Sequence, residues 1–433
     1  MDITEILTPG IIQIAGYFIV AAVLVQVAVM MVSSLTRLAH ERVQQKLSLE
    51  LLGNQVDLAK GWLAEVEKTE SSWPGFRKFK VQQKVQESAD VCSFYLSPHD
   101  GKPLPSFKPG QYLTFDLNEK GIARDAKKNV VRCYSLSDSP GHNYYYRITI
   151  KRVPPPRDRP DLPPGMASNY FLGKVEEGSI LDVKAPAGNF FLDQTVQTPV
   201  VLIGGGIGIT PVLSMLNAIA SSGSKRETWF FLGVRNRKDH IFKEHLEKIA
   251  LEYENIHVRV CYSDPEEDDV EGRDYQHAER VSVDLFKRVL PSSNYDYYIC
   301  GPGPMMTSLT EGLTTWSVPR EKVHSEAFGP ASVKKSRSVA GLPSDEKTEK
   351  IELKFAKNDK TFTWDPSIGS LLDFSLENGV MINSGCRAGN CGTCLTAILS
   401  GEVTYIQEPS PMPEEGSCLT CVSVPKGDLT LDA

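Results

Sequence analysis

The chain has 433 residues, more than one ordinary hydrophobic core accommodates, so two or three domains are expected. Its 41% hydrophobic and 23% charged residues describe a folded globular protein and exclude a disordered chain. A net charge of −7 without long basic runs argues against nucleic acid as a partner.

The first element breaks this pattern. No charged side chain occurs from Ile6 to Thr36, and Ile11 to Val32 is a run of 22 mostly apolar residues. As a helix it spans about 33 Å at ~1.5 Å per residue, enough for the ~30 Å hydrocarbon core of a bilayer. An acidic start (Asp2, Glu5), the length of the run and the lack of a small-residue cleavage site distinguish it from a signal peptide. We read residues 1–36 as a single transmembrane helix, a retained anchor. Arg37, Arg42 and Lys46 follow it and place the globular part in the cytoplasm. Residues 37–75, with Leu47, Leu51, Leu58, Trp62 and Val66 at roughly helical intervals, read as a stalk.

From residue 76 to 194 the texture is short strands broken by Gly and Pro, as in "FKPGQYLTFDL" and "YYYRITIKRV". Strands so closely spaced, without helices between them, predict a small antiparallel barrel. Within it "RCYS" places Arg132 and Tyr134 at alternate positions of one strand, a cation and a flat ring on the same side, with Ser135 next. Further on, "GMAS" (Gly165 to Ser168) opens a helix and is a candidate phosphate site.

Residues 195–328 change to βα alternation, which predicts a parallel sheet. "GGGIGITP" (Gly204 to Pro211) joins an apolar strand to a helix, and its glycines permit close backbone approach to a phosphate. Cys300 in "YICGPGPMM" ends another apolar strand. Ligands of such sheets bind at the carboxyl ends of strands, so the two turns are expected to face one cleft. Residues 329–347 lack any apolar period and read as a linker. The last module, 348–433, opens with a hairpin and a short helix and ends in the cysteines.

Four of the nine cysteines are scattered (Cys92, Cys133, Cys261, Cys300) and five fall between Cys386 and Cys421. Such clustering in a chain of this size points to a metal site in a reducing compartment rather than a disulfide framework. Two C-x2-C pairs, Cys391/Cys394 and Cys418/Cys421, suit a structural zinc. Cys386, Cys391 and Cys394 also form C-x4-C-x2-C, the plant-type ferredoxin spacing. The zinc reading leaves Cys386 and the loop glycines Gly385, Gly389 and Gly392 without a role, and sets its hooks 23 residues apart. A glycine-rich loop can instead wrap a cluster and aim amide N–H groups at its sulfurs, so we expect an iron–sulfur centre.

"RCYS", "GMAS", "GGGIGITP" and "CGPGPM", in this order, resemble the ferredoxin–NADP reductase superfamily. The flavin and nucleotide modules look closest to the reductase half of flavohaemoglobins and to oxygenase reductases. With the cysteines, residues 76–433 are similar to reductases built as flavin barrel, nicotinamide domain and plant-type [2Fe–2S] ferredoxin. The implied fold is multi-domain: an antiparallel β-barrel binding FAD, an α/β nucleotide domain and an α+β (β-grasp) ferredoxin domain. The resemblance implies that Arg132 pairs with the flavin pyrophosphate, that Tyr134 lies on the isoalloxazine, and that Ser135 hydrogen-bonds near its N5. Ile150 and Lys151 would line the flavin, with Gly165, Ala167 and Ser168 at its pyrophosphate. Gly204, Gly206, Gly208 and Thr210 would cradle the nicotinamide nucleotide, with Cys300 near the reacting carbon. Glu326 and Phe328 would border the flavin, and Cys386, Cys391, Cys394 and Cys421 would ligate the cluster. Ser263 followed by Asp264 and further acids, where NADPH users carry Ser-Arg, implies NADH, although Arg235 and Arg237 lie close by in sequence.

The function expected is electron transfer from NADH through FAD and [2Fe–2S] to a one-electron acceptor protein at the membrane, such as an oxygenase, hydroxylase or desaturase. An NADH:quinone reductase and a membrane redox sensor are the rival readings. Arg387, inside the cysteine loop, is the residue expected to touch the acceptor. Replacing Cys418 by Ser should keep the reddish-brown chromophore of the purified protein, whereas Cys421→Ser should lose it; the reverse outcome overturns the ligand assignment.

Overall fold

The computed structural model describes residues 73–117, 131–155, 160–161, 163–328, 351–389, 392–406, 409 and 412–433, together with helical positions 24, 26, 30 and 31. The expected anchor, apart from those four positions, lies outside the described residues, as do most of the stalk, the linker and Cys391. Among the described residues no helix is long and apolar enough to cross a membrane. The chain divides into two compact units, Met1–Glu70 and Ser71–Ala433, and all that follows concerns the second.

Its first layer is a six-stranded antiparallel sheet: β1 (Arg77–Ser88), β2 (Val91–Pro98), β3 (Tyr112–Asp116), β4 (Val131–Ser135), β5 (Tyr146–Lys151) and β6 (Ile180–Ala187), in the order β4-β3-β6-β1-β2-β5. A bridge between Leu136 and Ile148 joins its two edges, which closes the sheet as the expected barrel. Alternation sets the inside: Phe79 and Val81 are buried while Lys78 and Lys80 face out. Helix α1 (Met166–Lys174) packs Phe171 against Phe94, Phe115 and Tyr134, with ring centroids 5.2–5.5 Å apart. Burying each such ring contributes about 1.5–3 kcal/mol.

The second layer is a five-stranded parallel sheet built from β7 (Val200–Gly205), β8 (Thr228–Val234), β9 (Ile256–Tyr262), β10 (Asp296–Cys300) and β11 (Val323–Glu326), ordered β11-β10-β7-β8-β9. Every residue of β7 is buried, as a central parallel strand covered on both faces requires. Helix α2 (Ile209–Ser221) is buried from Ile209 to Ala220. Its polar groups face the barrel. Ser214 Oγ donates to the Asp138 carbonyl at 2.7 Å, and Asn217 Nδ2 to Asp138 Oδ1 at 3.0 Å. Helices α3 (Lys243–Glu252), α4 (Val283–Val289) and α5 (Gly303–Thr315) complete this domain.

The third layer is mixed. Strands β12 (Glu352–Phe355), β13 (Lys360–Thr363), β14 (Leu395–Ser400), β16 (Ser417–Leu419) and β18 (Leu429–Leu431) form one sheet, with β12 and β18 parallel. Strands β15 (Val403–Tyr405) and β17 (Ser423–Pro425) form a small ladder. Helix α6 (Leu371–Glu377) is capped by Ser370, whose Oγ accepts from the Asp373 amide, and it buries Leu371, Leu372 and Phe374. This agrees with the α+β expectation.

The two glycine turns meet. Cys300 pairs with Gly204 across β10 and β7, and Gly208 packs against the Cys300 carbonyl so closely that a Cβ there would overlap it. Gly206 differs: its φ of +53° favours glycine, yet a Cβ would meet nothing within 4 Å. Gly206→Ala should therefore cost about 1–2 kcal/mol of backbone strain. Gly208→Ala must push two turns apart and should cost at least twice as much. Denaturant midpoints measure both; an equal loss for the two would contradict this packing.

Candidate electron-transfer site

One cavity of about 420 Å³ is walled by all three layers. The barrel contributes Arg132 to Ser135 of β4 and Thr149 to Lys151 of β5, and the start of α1 contributes Gly165 to Ser168. Ile207 and Thr210 come from the nucleotide turn, and Glu326 to Phe328 from the end of β11. Gly385, Cys386 and Arg387 come from the cysteine loop.

The barrel wall carries an aromatic ring, Tyr134, and two cations, Arg132 and Lys151. Tyr134 stands edge-on against Phe115 and Phe171, which fix its ring, and burial raises its phenol pKa. Arg132 lies beside it, its Nη1 donating to the Val131 carbonyl at 2.7 Å. Burial pushes its guanidinium pKa down, and the nearby Arg387 charge adds to the effect. At the α1 end, Ser168 Oγ donates to the Gly165 carbonyl and accepts from the Val153 amide, both at 3.2 Å. A Cβ at Gly165 would strike Val153, so glycine lets the start of α1 approach the segment that follows β5. Lys151 lines the cavity while its ammonium reaches Asp239 of the nucleotide domain at 3.2 Å and Asp90 at 3.4 Å.

Thr210 Oγ1 donates to the Ile207 carbonyl at 3.1 Å, which closes the nucleotide turn over the start of α2. Gly204, Gly206 and Gly208 shape this turn without lining the cavity. Cys300 is fully buried behind it. Burial pushes its thiol pKa up, as does the carboxyl of Glu326, its register partner on β11. Phe328 lines the cavity and packs on the core cluster that contains Cys300.

The cysteine loop curls through three left-handed positions, Arg387 (φ 55°), Gly389 (φ 79°) and Gly392 (φ 67°). The Ala388 amide donates to Cys386 Sγ at 3.4 Å, the N–H to sulfur contact expected of a cluster loop. Cys421 hydrogen-bonds Cys394, which with burial raises its thiol pKa, and its surroundings include Cys386 and the Gly389 amide. Cys418, buried on β16, instead hydrogen-bonds Ser423. Among the described residues no three His, Cys, Asp or Glu side chains gather around one ion. Cys421 thus has Cys394 and Cys386 for neighbours, two of its expected fellow ligands, while Cys418 turns to Ser423. The residues present thus fit a flavin in the cavity and a dinuclear cluster in the loop.

Tyr112, Thr149 and Val153 also line the cavity and were not singled out from the sequence. The signal for Thr149 was its place one residue before Ile150. Arg387 also lines the cavity, its side chain 27% exposed and its Nη1 3.9 Å from Asp373 Oδ1.

Family models place an oxidoreductase FAD-binding domain at residues 78–192, an oxidoreductase NAD-binding domain at 202–311 and a 2Fe-2S iron-sulfur cluster binding domain at 355–426. The flavohemoprotein of Bacillus cereus is 41% identical over 263 residues, covering 61% of this chain and 63% of its own. That of Halalkalibacterium halodurans is 39% identical over 276 residues, covering 64% and 65%. The chain thus spans less than two thirds of these relatives' length. The FAD/NAD-binding domain of a Vibrio cholerae nitric oxide dioxygenase, 30% identical, superposes over 59% of this chain and 100% of its own with a TM-score of 0.51. Phthalate dioxygenase reductase, described as a modular structure for electron transfer from pyridine nucleotides to [2Fe-2S], is 25% identical and covers 83% of this chain and 98% of its own, TM-score 0.53. FAD, a [2Fe–2S] cluster and NADH are therefore the redox groups of this protein. The chain belongs to the ferredoxin–NADP reductase-like family of oxidoreductases, with a C-terminal 2Fe-2S domain.

Proposed function

We propose that this protein is a membrane-anchored reductase that passes electrons from NADH through FAD and the [2Fe–2S] cluster to a membrane-associated protein such as an oxygenase, hydroxylase or desaturase. The observation that carries the reading is the shared cavity: Cys386 of the cysteine loop lines the same space as Tyr134 and Arg132 of the barrel. When bound there, FAD supplies a centre that accepts a hydride and releases electrons one at a time. The chain's own residues position it. Tyr134 offers a ring face, Ser135 a hydroxyl near the reacting edge, and Arg132 with the Gly165–Ser168 turn a site for the pyrophosphate. Ile150 and Lys151 hold the β5 side, and Cys386, Cys391, Cys394 and Cys421 hold the cluster.

On the nucleotide side, Gly204, Gly206, Gly208 and Thr210 form the turn that receives the dinucleotide. Phe328 lines the same cavity as Glu326, and its ring would have to shift for nicotinamide to stack on the flavin. The preference for NADH follows from how the basic residues are engaged. Arg235 is 2.7 Å from Asp239, Arg237 is 3.7 Å from Asp269, and Lys238 is 2.6 Å from Glu266. Each cation that could take a 2′-phosphate already has a carboxylate, and Asp264 adds another negative charge nearby. The anchor, Ile11 to Val32, confines donor and acceptor to one surface.

The test is steady-state NADH oxidation by the purified full chain with cytochrome c or ferricyanide as acceptor. Cys421→Ser should abolish cytochrome c reduction and retain ferricyanide reduction, since the small anion takes electrons from the flavin directly. Retained cytochrome c activity would remove the cluster from the path. The kcat/KM should be at least about tenfold higher with NADH than with NADPH, the equivalent of about 1.4 kcal/mol; the opposite order would overturn the nucleotide assignment. Activity should sediment with membranes and become soluble on deletion of residues 1–36, and an unchanged distribution would remove the anchor.

A further inference from the structure

We infer that Arg387, carried by the ferredoxin domain, is a flavin-binding residue that contacts the phosphate oxygens of FAD together with Arg132. The inference rests on the reading of the cavity as the flavin site.

Arg387 follows a cluster cysteine in sequence, yet it lines the same cavity as Arg132 of the barrel. Its backbone is left-handed, at φ 55°, a strained conformation for a non-glycine residue that is kept only where the surroundings hold it. Those surroundings are specific. Nε donates to Ser384 Oγ at 3.4 Å, and Nη1 lies 3.9 Å from Asp373 Oδ1 at the start of α6. The side chain is therefore tethered, and only 27% exposed.

Two guanidinium groups converging on one partly enclosed space repel, because neither can lose its proton. Burial first and the nearby Arg387 charge second push the Arg132 pKa down. Asp373 offsets one of the two charges from the far side, at a distance too long for a full hydrogen bond. A dianionic pyrophosphate between the cations converts repulsion into two charge-assisted contacts, the geometry for which arginine's planar fork is suited. A neutral ligand would leave the pair uncompensated. Because the two cations belong to different domains, the coupling is reciprocal: bound FAD favours the docked ferredoxin domain, and docking favours FAD.

The experiment uses the full chain with its cluster in place, stripped of flavin and titrated with FAD by fluorescence quenching. Arg387→Ala should raise the FAD Kd about tenfold, Arg387→Lys should recover part of the loss, and the difference should shrink in high salt. A Kd within about twofold of the parent, with cluster absorption intact, would overturn the proposal, as would equal losses for Ala and Lys. Should Arg387→Ala lose the cluster, Asp373→Asn decides, since it leaves the loop unaltered. Freed from its carboxylate, Arg387 should then tighten FAD binding severalfold, and an unchanged or weaker affinity would overturn the proposal. Arg132→Ala separates this claim from its premise: if it leaves FAD affinity unaltered, the cavity is not the flavin site and the inference falls with it, whereas an effect confined to Arg132 sinks the Arg387 claim alone.

Discussion

The arrangement depends on one residue that holds two domains at a fixed angle, Asp138. Its carbonyl accepts from Ser214 and its Oδ1 from Asn217, both on α2, while Oδ2 accepts from the barrel's Tyr145 at 2.9 Å. Arg147 stands 3.6 Å from the same carboxylate, and Asn217 in turn bonds His245 on α3 at 2.7 Å. A network in which each member is satisfied rigidifies a contact that apolar packing alone would leave free to slide. The consequence is geometric. Thr210 and Ile207 of the nucleotide turn reach the cavity whose other walls are β4 and β5, so a hydride donor and a flavin can share one space.

Around that fixed pair the chemistry is one of position rather than of acid–base catalysis. Glycine supplies close approach at Gly165 and Gly208, where any side chain would strike Val153 or the Cys300 carbonyl. Aromatic packing supplies orientation, through Phe115 and Phe171 behind Tyr134. Charge is distributed by burial: Arg132 and Arg387 face inward, while Arg235, Arg237 and Lys238 are answered by carboxylates on the nucleotide side. The cluster loop is brought to this site by the body of the ferredoxin domain, whose core joins Leu371, Phe374 and Leu429 to the buried cysteines.

Much of the architecture could be read from local patterns. Alternating strands between Gly and Pro turns announced the barrel, and "VVLIGGGIGITP" announced a buried parallel strand running into a helix, because period and glycine placement are local properties. The convergence of Arg132, Tyr134, Ser168 and Phe328 on one cavity followed from recognising their motifs together. What the sequence concealed was tertiary. Arg387 was expected to meet an acceptor, and that it lines a cavity with Arg132 depends on how the third layer packs on the barrel. Cys300 is buried in a core cluster whose members run from Val91 to Cys300, with Phe328 packed against it, and no local pattern announces that. The arginines of "GVRNRKD" were ambiguous for nucleotide choice until their partners Asp239, Asp269 and Glu266 were known, and two of those lie a full strand away.

The central claim is that this single chain carries electrons from NADH to its own cluster through the flavin. Anaerobic titration of the full chain with NADH, followed by flavin absorbance and by electron paramagnetic resonance of the cluster, tests it directly. The account predicts that the flavin bleaches and that the signal of a reduced [2Fe–2S] cluster grows with it, and that protein stripped of FAD shows no cluster signal. A flavin that bleaches fully while the cluster stays oxidised would contradict it.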